Sequence, residues 1–376
     1  MAIQKRALVL PSVSLGCDPE AFFTRKGQVI GAERVIPEGG LRGPSYSIPV
    51  VIDGVQLEIH PAVTGCRQSM ACFLKDGFYA IHKRLQELGD PDIQLSFQSH
   101  YTVPREELDS LSDACKILGC SPSLNHYGFE DLGVDVATFA ERSAGGHLHF
   151  GLDTTYVRPE FVVPCLDAVL GNFCVMVDRD PYAPARRKVY GRAGEYRLPK
   201  HGIEYRTLSN FWLRDYALQS MVMGIARWAL GVAYTQSCIG IAFQWDSAKT
   251  LLGDYVDPRK VQRAINTNDL QLAKENWAGV KRFCDERVDW TGTSKNGMAG
   301  PSFHLIDHFL QRIEESGLEY WFNENPYEHW LKLRYAAEVP GYEFGKTKVG
   351  VPIGWEAFLT TRVQQDYEAA GKRKAA

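Results

Sequence analysis

Between about residues 8 and 65 the chain reads as short β-rich runs, ALVLPSVSL, GQVIGA, YSIPVVI and VQLEIH, separated by Gly, Pro and Asp-Gly turns. Runs of that length with that punctuation specify strands joined by tight connections rather than helices. Asp53-Gly54, between VVI and VQLEI, is a hairpin signal. The pattern then changes. Met70, Leu74, Phe78, Ile81, Leu85 and Leu88 recur at three- and four-residue steps with charged residues between them, and Gly89 follows, which predicts a helix and its stop. Residues 91–150 mix strands with a polar insertion near 110–130, and a second helix is predicted from Pro159 to Val177. After Asn210 the text turns helical, over 213–240, 257–286, 302–316 and 326–337. This order predicts an α+β fold, an antiparallel sheet followed by a helical lobe. The expected divisions are a sheet region at 8–212, a mainly helical lobe at 213–367 that completes the domain, and a flexible tail at 368–376.

Composition removes several function classes. Lys+Arg 42 against Asp+Glu 45 leaves a formal net charge of -3 in 376 residues, which argues against a protein whose main task is neutralising nucleic-acid phosphates. No run reads as a membrane span, and 17 Tyr, 18 Phe and 8 Trp exclude general disorder. The stretch after Lys5-Arg6 faintly resembles a leader, but it is short, interrupted by Pro11 and without a well-formed cleavage box before Cys17. The nine cysteines include no C-x-x-C pair and are expected to be reduced, in a cytoplasmic protein.

Four strand-like segments carry polar residues where a buried sheet would carry Val or Ile. In GCDPEAFF, Asp18 and Glu20 are two apart, so on one strand both carboxylates would share a face, a repulsion that a divalent cation offsets. Two solvated acids at a sheet edge would explain the same spacing. In DGVQLEIHP, Glu58 lies opposite in phase to Val55 and Leu57 and faces either water or a site. In AGGHLHFG, His147 and His149 share a face behind two small glycines, an arrangement that suits a metal ion or a structural pair. GEYRLPKHGIEYR holds two Glu-x-Arg units, Glu195/Arg197 and Glu204/Arg206, with Arg186, Arg187 and Arg192 upstream and Lys200 between. Arginine grips phosphate bidentately and a neighbouring carboxylate suits Mg²⁺, whereas a surface ion-pair ladder is the structural alternative. Together the segments suggest Mg²⁺ or Mn²⁺ ligated by oxygens, facing phosphate binders. There is no P-loop and no G-x-G-x-x-G fingerprint.

With these motifs in this order, the chain resembles the glutamine synthetase / glutamate–cysteine ligase superfamily, and within it the phage-type carboxylate–amine ligases (amidoligases, type 2). GCDPEAFF is similar to a Gly-x-Glu-x-Glu-Phe-Phe strand, AGGHLHFGLD to a Gly-x-His-x-His strand, and GEYRLPKHGIEYRTLSN to R-Y-x-L-P and R-I-E-x-R strands. The resemblance runs over roughly residues 14–212. It implies a glutamine synthetase-like catalytic sheet with flanking helices, and ATP- and Mg²⁺- (or Mn²⁺-) dependent amide formation through an acyl phosphate. It implies that Asp18, His147 and Glu204 hold the metal at the ATP phosphates, and that Glu20 and Glu58 hold a second. His149 and Arg192 would lie at the nucleotide, and Arg197 and Arg206 at the transferring phosphoryl group. Glu58 and Glu195 are candidates for the base. The partners implied are a small-molecule or peptide carboxylate and an amine, with homo-oligomers ranging from small assemblies to rings. Two departures stand out. Asp18 is one methylene shorter than the family's Glu, and Arg67 and Gln68 occupy the region where a further acid is expected after Glu58, which would deplete the second metal site.

Three other readings compete. A guanidino kinase on a related fold would use mainly arginines. A zinc hydrolase using His147 and His149 leaves the Arg-rich hairpin without a role. A non-catalytic phage protein with a degenerate ligase fold is compatible with the two departures. Trp277, Trp290, Tyr320, Trp321 and Trp330 either line an acceptor pocket or belong to the core.

Overall fold

A break in one short segment divides the N-terminal half between two sheets. The strand expected through GCDPEAFF ends at Cys17 and a new one begins at Glu20, because Pro19 has no N–H to give a ladder. The computed structural model describes residues 8, 13–116, 123–128, 139–243, 252–289, 310 and 330. Strand β1 (Ser14–Cys17) belongs to a five-stranded sheet, in the order β1-β11-β13-β12-β9. Its other members are β9 (Leu124–Asn125), β11 (Leu148–Gly151), β12 (Glu195–Arg197) and β13 (Gly202–Tyr205). Strand β2 (Glu20–Arg25) belongs to a second sheet with β3 (Gln28–Ile30), β4 (Leu41–Arg42), β5 (Pro49–Asp53), β6 (Gln56–Ile59) and β7 (Ile93–Ser96). A small ribbon pairs β8 (His100–Thr102) with β10 (Glu141–Ser143). Every strand pairing among the described residues is antiparallel, so the chain is α+β, as its pattern predicts.

The β5–β6 hairpin differs from expectation by one residue. Asp53 pairs with Gln56, so the turn is Gly54-Val55, with Gly54 at a φ of 58° that favours glycine. Asp53 is therefore a strand residue with a face, and not part of the turn.

The predicted first helix is α1 (Arg67–Leu88), which buries Met70, Leu74, Phe78 and Ile81 and stops at Gly89 in the left-handed region. Short helices α2 (Arg105–Ser110) and α3 (Asp113–Lys116) follow. The Pro159–Val177 helix forms as α4 (Pro159–Leu166), a π-turn over Asp167–Gly171 and α5 (Asn172–Val177). By length and composition this segment does reach what a membrane span needs, but most of it is buried inside the protein, as a core helix is. The π-turn places Asp167 under β13, where it accepts the Tyr205 hydroxyl at 2.6 Å. Burial pushes the Asp167 carboxyl up to about 7.

After α6 (Ala183–Val189), α7 (Tyr216–Phe243) packs against α4 and α1. The helix expected over 257–286 is two helices, α8 (Pro258–Asn266) and α9 (Leu270–Arg287), capped by Asp257 and Asp269. The helices expected at 302–316 and 326–337 lie outside the described residues except for Leu310 and Trp330. Trp330 and Trp277 are buried core side chains; Trp290, Tyr320 and Trp321 lie outside the described residues. No disulfide joins the described cysteines, five of which are buried.

Asp76 on α1 holds the approach to β5. Its buried carboxylate accepts backbone N–H groups from Ser45 (2.8 Å), Tyr46 (2.9 Å) and Ile48 (3.2 Å). Removing the acceptor strands the buried Ile48 N–H at about 1–3 kcal/mol and costs the two part-buried bonds less. Asp76→Ala is expected to cost roughly 3 kcal/mol overall, read as a lower urea midpoint, while Asp76→Asn loses less.

Candidate active site

Strand register assembles the first cluster. His149 on β11 lies opposite Glu204 on β13, and Glu204 lies opposite Arg197 on β12, giving one row across three strands. His147 precedes β11 and Arg206 follows β13, each two residues from its partner in the row and on the same face. Asp18, one residue past β1, comes within 3.2 Å of His147 Nδ1 and 3.0 Å of His149 Nε2. His147 Nδ1 is 3.7 Å from Glu204 Oε1, and ligand atoms of Asp18, His147 and Glu204 lie within 4.8 Å of one another.

Arginine neutralises this cluster from within. Arg197 holds Glu204 bidentately, with Nε and Nη2 each at 2.7 Å, and Arg206 Nε lies 3.2 Å from the same carboxylate. Glu204 and Arg206 are buried, while Arg197 is partly exposed. Burial opposes charge on Asp18, but His147 and His149 outweigh it and hold the carboxyl well below the usual range. Burial lowers His147, with Arg206 adding to it, so that ring is neutral near pH 7. His149 is also opposed by burial, yet its hydrogen bond and attraction to Asp18 raise it.

The second cluster consists of Glu20 on β2, and Asp53 and Glu58 on the β5–β6 hairpin, again with ligand atoms within 4.8 Å. Glu20 pairs with Glu58 across β2 and β6. Asp53 is in phase with Val51, the partner of Glu58, and so joins the same face. All three carboxyls are raised. Burial is the main cause for each; Asp53 and Glu58 add to it at Glu20, and Asp18 adds to it at Asp53 and Glu58. His60 is paired with Glu58, and that hydrogen bond raises it. Glu20 also accepts the Gly145 N–H at 2.7 Å.

The structure thus brings Asp18, His147, His149, Glu204, Arg197 and Arg206 together and sets Glu20 and Glu58 in the neighbouring cluster. Asp18 and Glu20, expected on one strand face, serve different clusters because of the break at Pro19. Arg192 and Glu195 have backbone partners. Arg192 donates to the carbonyls of Arg187 and Lys188 at the end of α6, and Glu195 accepts the N–H groups of Gly191 and Arg192. Arg186 is fully buried against the carbonyls of Ala144, Thr207 and Leu208. Part of the basic stretch therefore organises backbone.

Asp53 was missed in the sequence because Asp-Gly reads as a turn. The one-residue shift supplies the third acid from before Glu58, where the family pattern places it after. Tyr190 and His201 were also missed. Tyr190 bridges His147 Nε2 (2.6 Å) and Arg206 Nη2 (2.5 Å), and His201 meets His149 Nδ1 at 3.1 Å.

Both clusters fit a divalent cation by donor chemistry. The second presents three carboxylates, a hard-cation set whose mutual repulsion a cation relieves. The first presents two carboxylates and a neutral imidazole, a set that also suits Mn²⁺. Glu20→Gln keeps an acceptor for Gly145 and removes one charge. In chelator, it should raise the unfolding temperature by roughly 2 °C and reduce the stabilisation given by Mn²⁺. The sign with pH follows from the raised carboxyl: its favourable contribution is present at low pH and is lost as pH rises through the raised value. The gain from Glu20→Gln should therefore be larger at pH 8 than at pH 5. A lower unfolding temperature with an undiminished Mn²⁺ effect would count against the cluster.

No curated protein matches the chain. A family model does, over residues 134–238: Phage phiEco32-like COOH.NH2 ligase-type 2. The matched stretch contains His147, His149, Arg197, Glu204 and Arg206, and it leaves Asp18, Glu20, Asp53 and Glu58 outside. Over residues 134–238 the chain is similar to this ligase family, and the match supports its reading as a phage-type carboxylate–amine ligase.

Proposed function

We propose that the protein is an ATP-dependent carboxylate–amine ligase that forms an amide through an acyl phosphate. The observation that carries the reading is the pair of adjoining ligand clusters, one flanked by two arginines, in a chain that matches a ligase family. Asp18, His147 and Glu204 would hold a cation at the phosphates, and Glu20, Asp53 and Glu58 a second one. Bound Mg²⁺ or Mn²⁺ supplies charge stabilisation for the transferring phosphoryl group.

The chain's own residues divide the remaining work. Arg197 is the partly exposed arginine of the two and would meet an incoming phosphate oxygen. Arg206 is buried among Glu204, Tyr190 and Ser123, and holds Glu204 in place. The substrate carboxylate attacks the γ-phosphorus and ADP leaves; the amine then attacks the acyl carbon, and inorganic phosphate leaves. Positioning and electrostatics carry most of phosphoryl transfer, which suits ligands set on strands or one residue from a strand end. The substrates are read as a small-molecule or peptide carboxylate and an amine, in an ATP-supplied cytoplasm.

The test incubates protein, ATP and Mg²⁺ with pools of amino acids and short peptides, and follows phosphate release and new masses. Release that requires both an acid and an amine is expected. ADP without free phosphate, together with a phosphorylated nitrogen, would indicate a guanidino-type kinase instead. Absence of nucleotide binding in calorimetry would sink both. Glu204→Gln is preferable to Glu204→Ala, because Ala strands buried Arg206 at a cost of about 3–5 kcal/mol. It should lower turnover at least roughly tenfold with the chain still folded.

A further inference from the structure

We propose that Tyr190 is a positioning residue that lets His147 exchange its ring proton between its two nitrogens as a cation enters. The inference rests on the reading of Asp18, His147 and Glu204 as a cation site.

His147 is 2% exposed and cannot turn to water. Its Nδ1 faces Asp18 Oδ1 at 3.2 Å and Glu204 Oε1 at 3.7 Å, and its Nε2 faces the Tyr190 hydroxyl at 2.6 Å. Each nitrogen has one kind of neighbour, so the position of the ring proton follows from what those neighbours accept. Without a cation, the Asp18 carboxylate 3.2 Å away favours the ring proton on Nδ1, and Nε2 then needs a donor, which the Tyr190 hydroxyl is. A cation held by Nδ1 requires a lone pair there. The Nδ1 proton leaves to solvent as the cation enters, and Nε2 takes a proton from the Tyr190 hydroxyl, whose oxygen regains one from solvent; the ring stays neutral with its proton on Nε2, and the Tyr190 oxygen accepts from it. A hydroxyl performs both roles; a carbonyl or carboxylate would lock Nε2–H, and a phenyl ring would leave Nε2 buried without a partner.

Tyr190 is held for this purpose from three directions. Its N–H donates to Arg186 O at 2.7 Å, ending α6. The guanidinium groups of Arg186 (5.0 Å) and Arg206 (5.1 Å) both lie over its ring. Arg206 Nη2 donates to its oxygen at 2.5 Å. Arginine has no acceptor, so this contact does not take the tyrosine proton. Gly145 completes the seat, since a Cβ there would lie 2.1 Å from His147 Nε2.

The experiment titrates Mg²⁺ into protein carrying ¹⁵N-histidine and follows the two-bond nitrogen–proton spectrum of His147. A change from the Nδ1–H to the Nε2–H pattern on saturation is expected. Calorimetry of Tyr190→Phe, with Asp18→Asn and Asp53→Asn assigning each binding step, should show a roughly tenfold to hundredfold loss of Mg²⁺ affinity. That loss should be confined to the site containing His147. The wild-type spectrum needs no substitution, so it decides the matter even if Tyr190→Phe folds poorly. Mg²⁺ binding with an unchanged His147 tautomer, or with unchanged affinities in Tyr190→Phe, overturns the inference alone. Wild-type protein that binds no Mg²⁺ overturns the cation reading as well.

Discussion

The backbone of Gly145 is where the two sheets and the two clusters meet. Its N–H donates to the Glu20 carboxylate at 2.7 Å, and its C=O accepts the Glu20 N–H at 2.9 Å. It also bridges Ser209, and its missing Cβ leaves space for the His147 ring. A side chain there would displace the histidine, and a lost amide contact would release Glu20. Gly146 beside it is equally confined, with a Cβ position 2.3 Å from Ser209 O and 2.4 Å from Trp212 Nε1. The glycine pair thus sets the separation between the histidine-bearing strand and the acids of the neighbouring sheet.

The two clusters are electrostatically unlike. In the first, Glu204 is matched by Arg197 and Arg206, and Asp18 by its histidine neighbours. In the second, three carboxylates face one another with His60 at the rim and one backbone N–H at Glu20. Burial raises a carboxyl, and so does a neighbouring carboxylate; both act at Glu20, Asp53 and Glu58. The folded state therefore stores its repulsion in the sheet that contains β2, β5 and β6. The charge of Asp18 reaches into that sheet as well, so the state of one cluster is felt in the other.

Arginines bonded to backbone carbonyls carry much of the supporting structure. Arg186 donates to three carbonyls from two segments, and Arg192 closes the end of α6. A guanidinium offers five donors in a fixed fork, so it can satisfy carbonyls that neither a helix nor a ladder reaches. This accounts for an arginine-rich stretch of which Arg197 is the member left half-open and aligned with the histidine row.

The local pattern alone determined the strand-rich first half, helix α1 with its Gly89 stop, and the i, i+2 pairing of His147 with His149 and of Glu204 with Arg206. Each depends on neighbours a few residues apart. The tertiary structure decided which distant residues meet. Register sets Glu204 opposite both His149 and Arg197, and the ladder break at Pro19 sends Asp18 and Glu20 to different sheets. A one-residue shift of the β5–β6 turn converts Asp53 from a turn residue into the third acid of a cluster. Tyr190 was illegible for the same reason: its significance lies in a hydrogen bond to a ring 43 residues away. Side-chain periodicity assigns a residue to a face, but only the pairing of strands across the sheet assigns that face its neighbours.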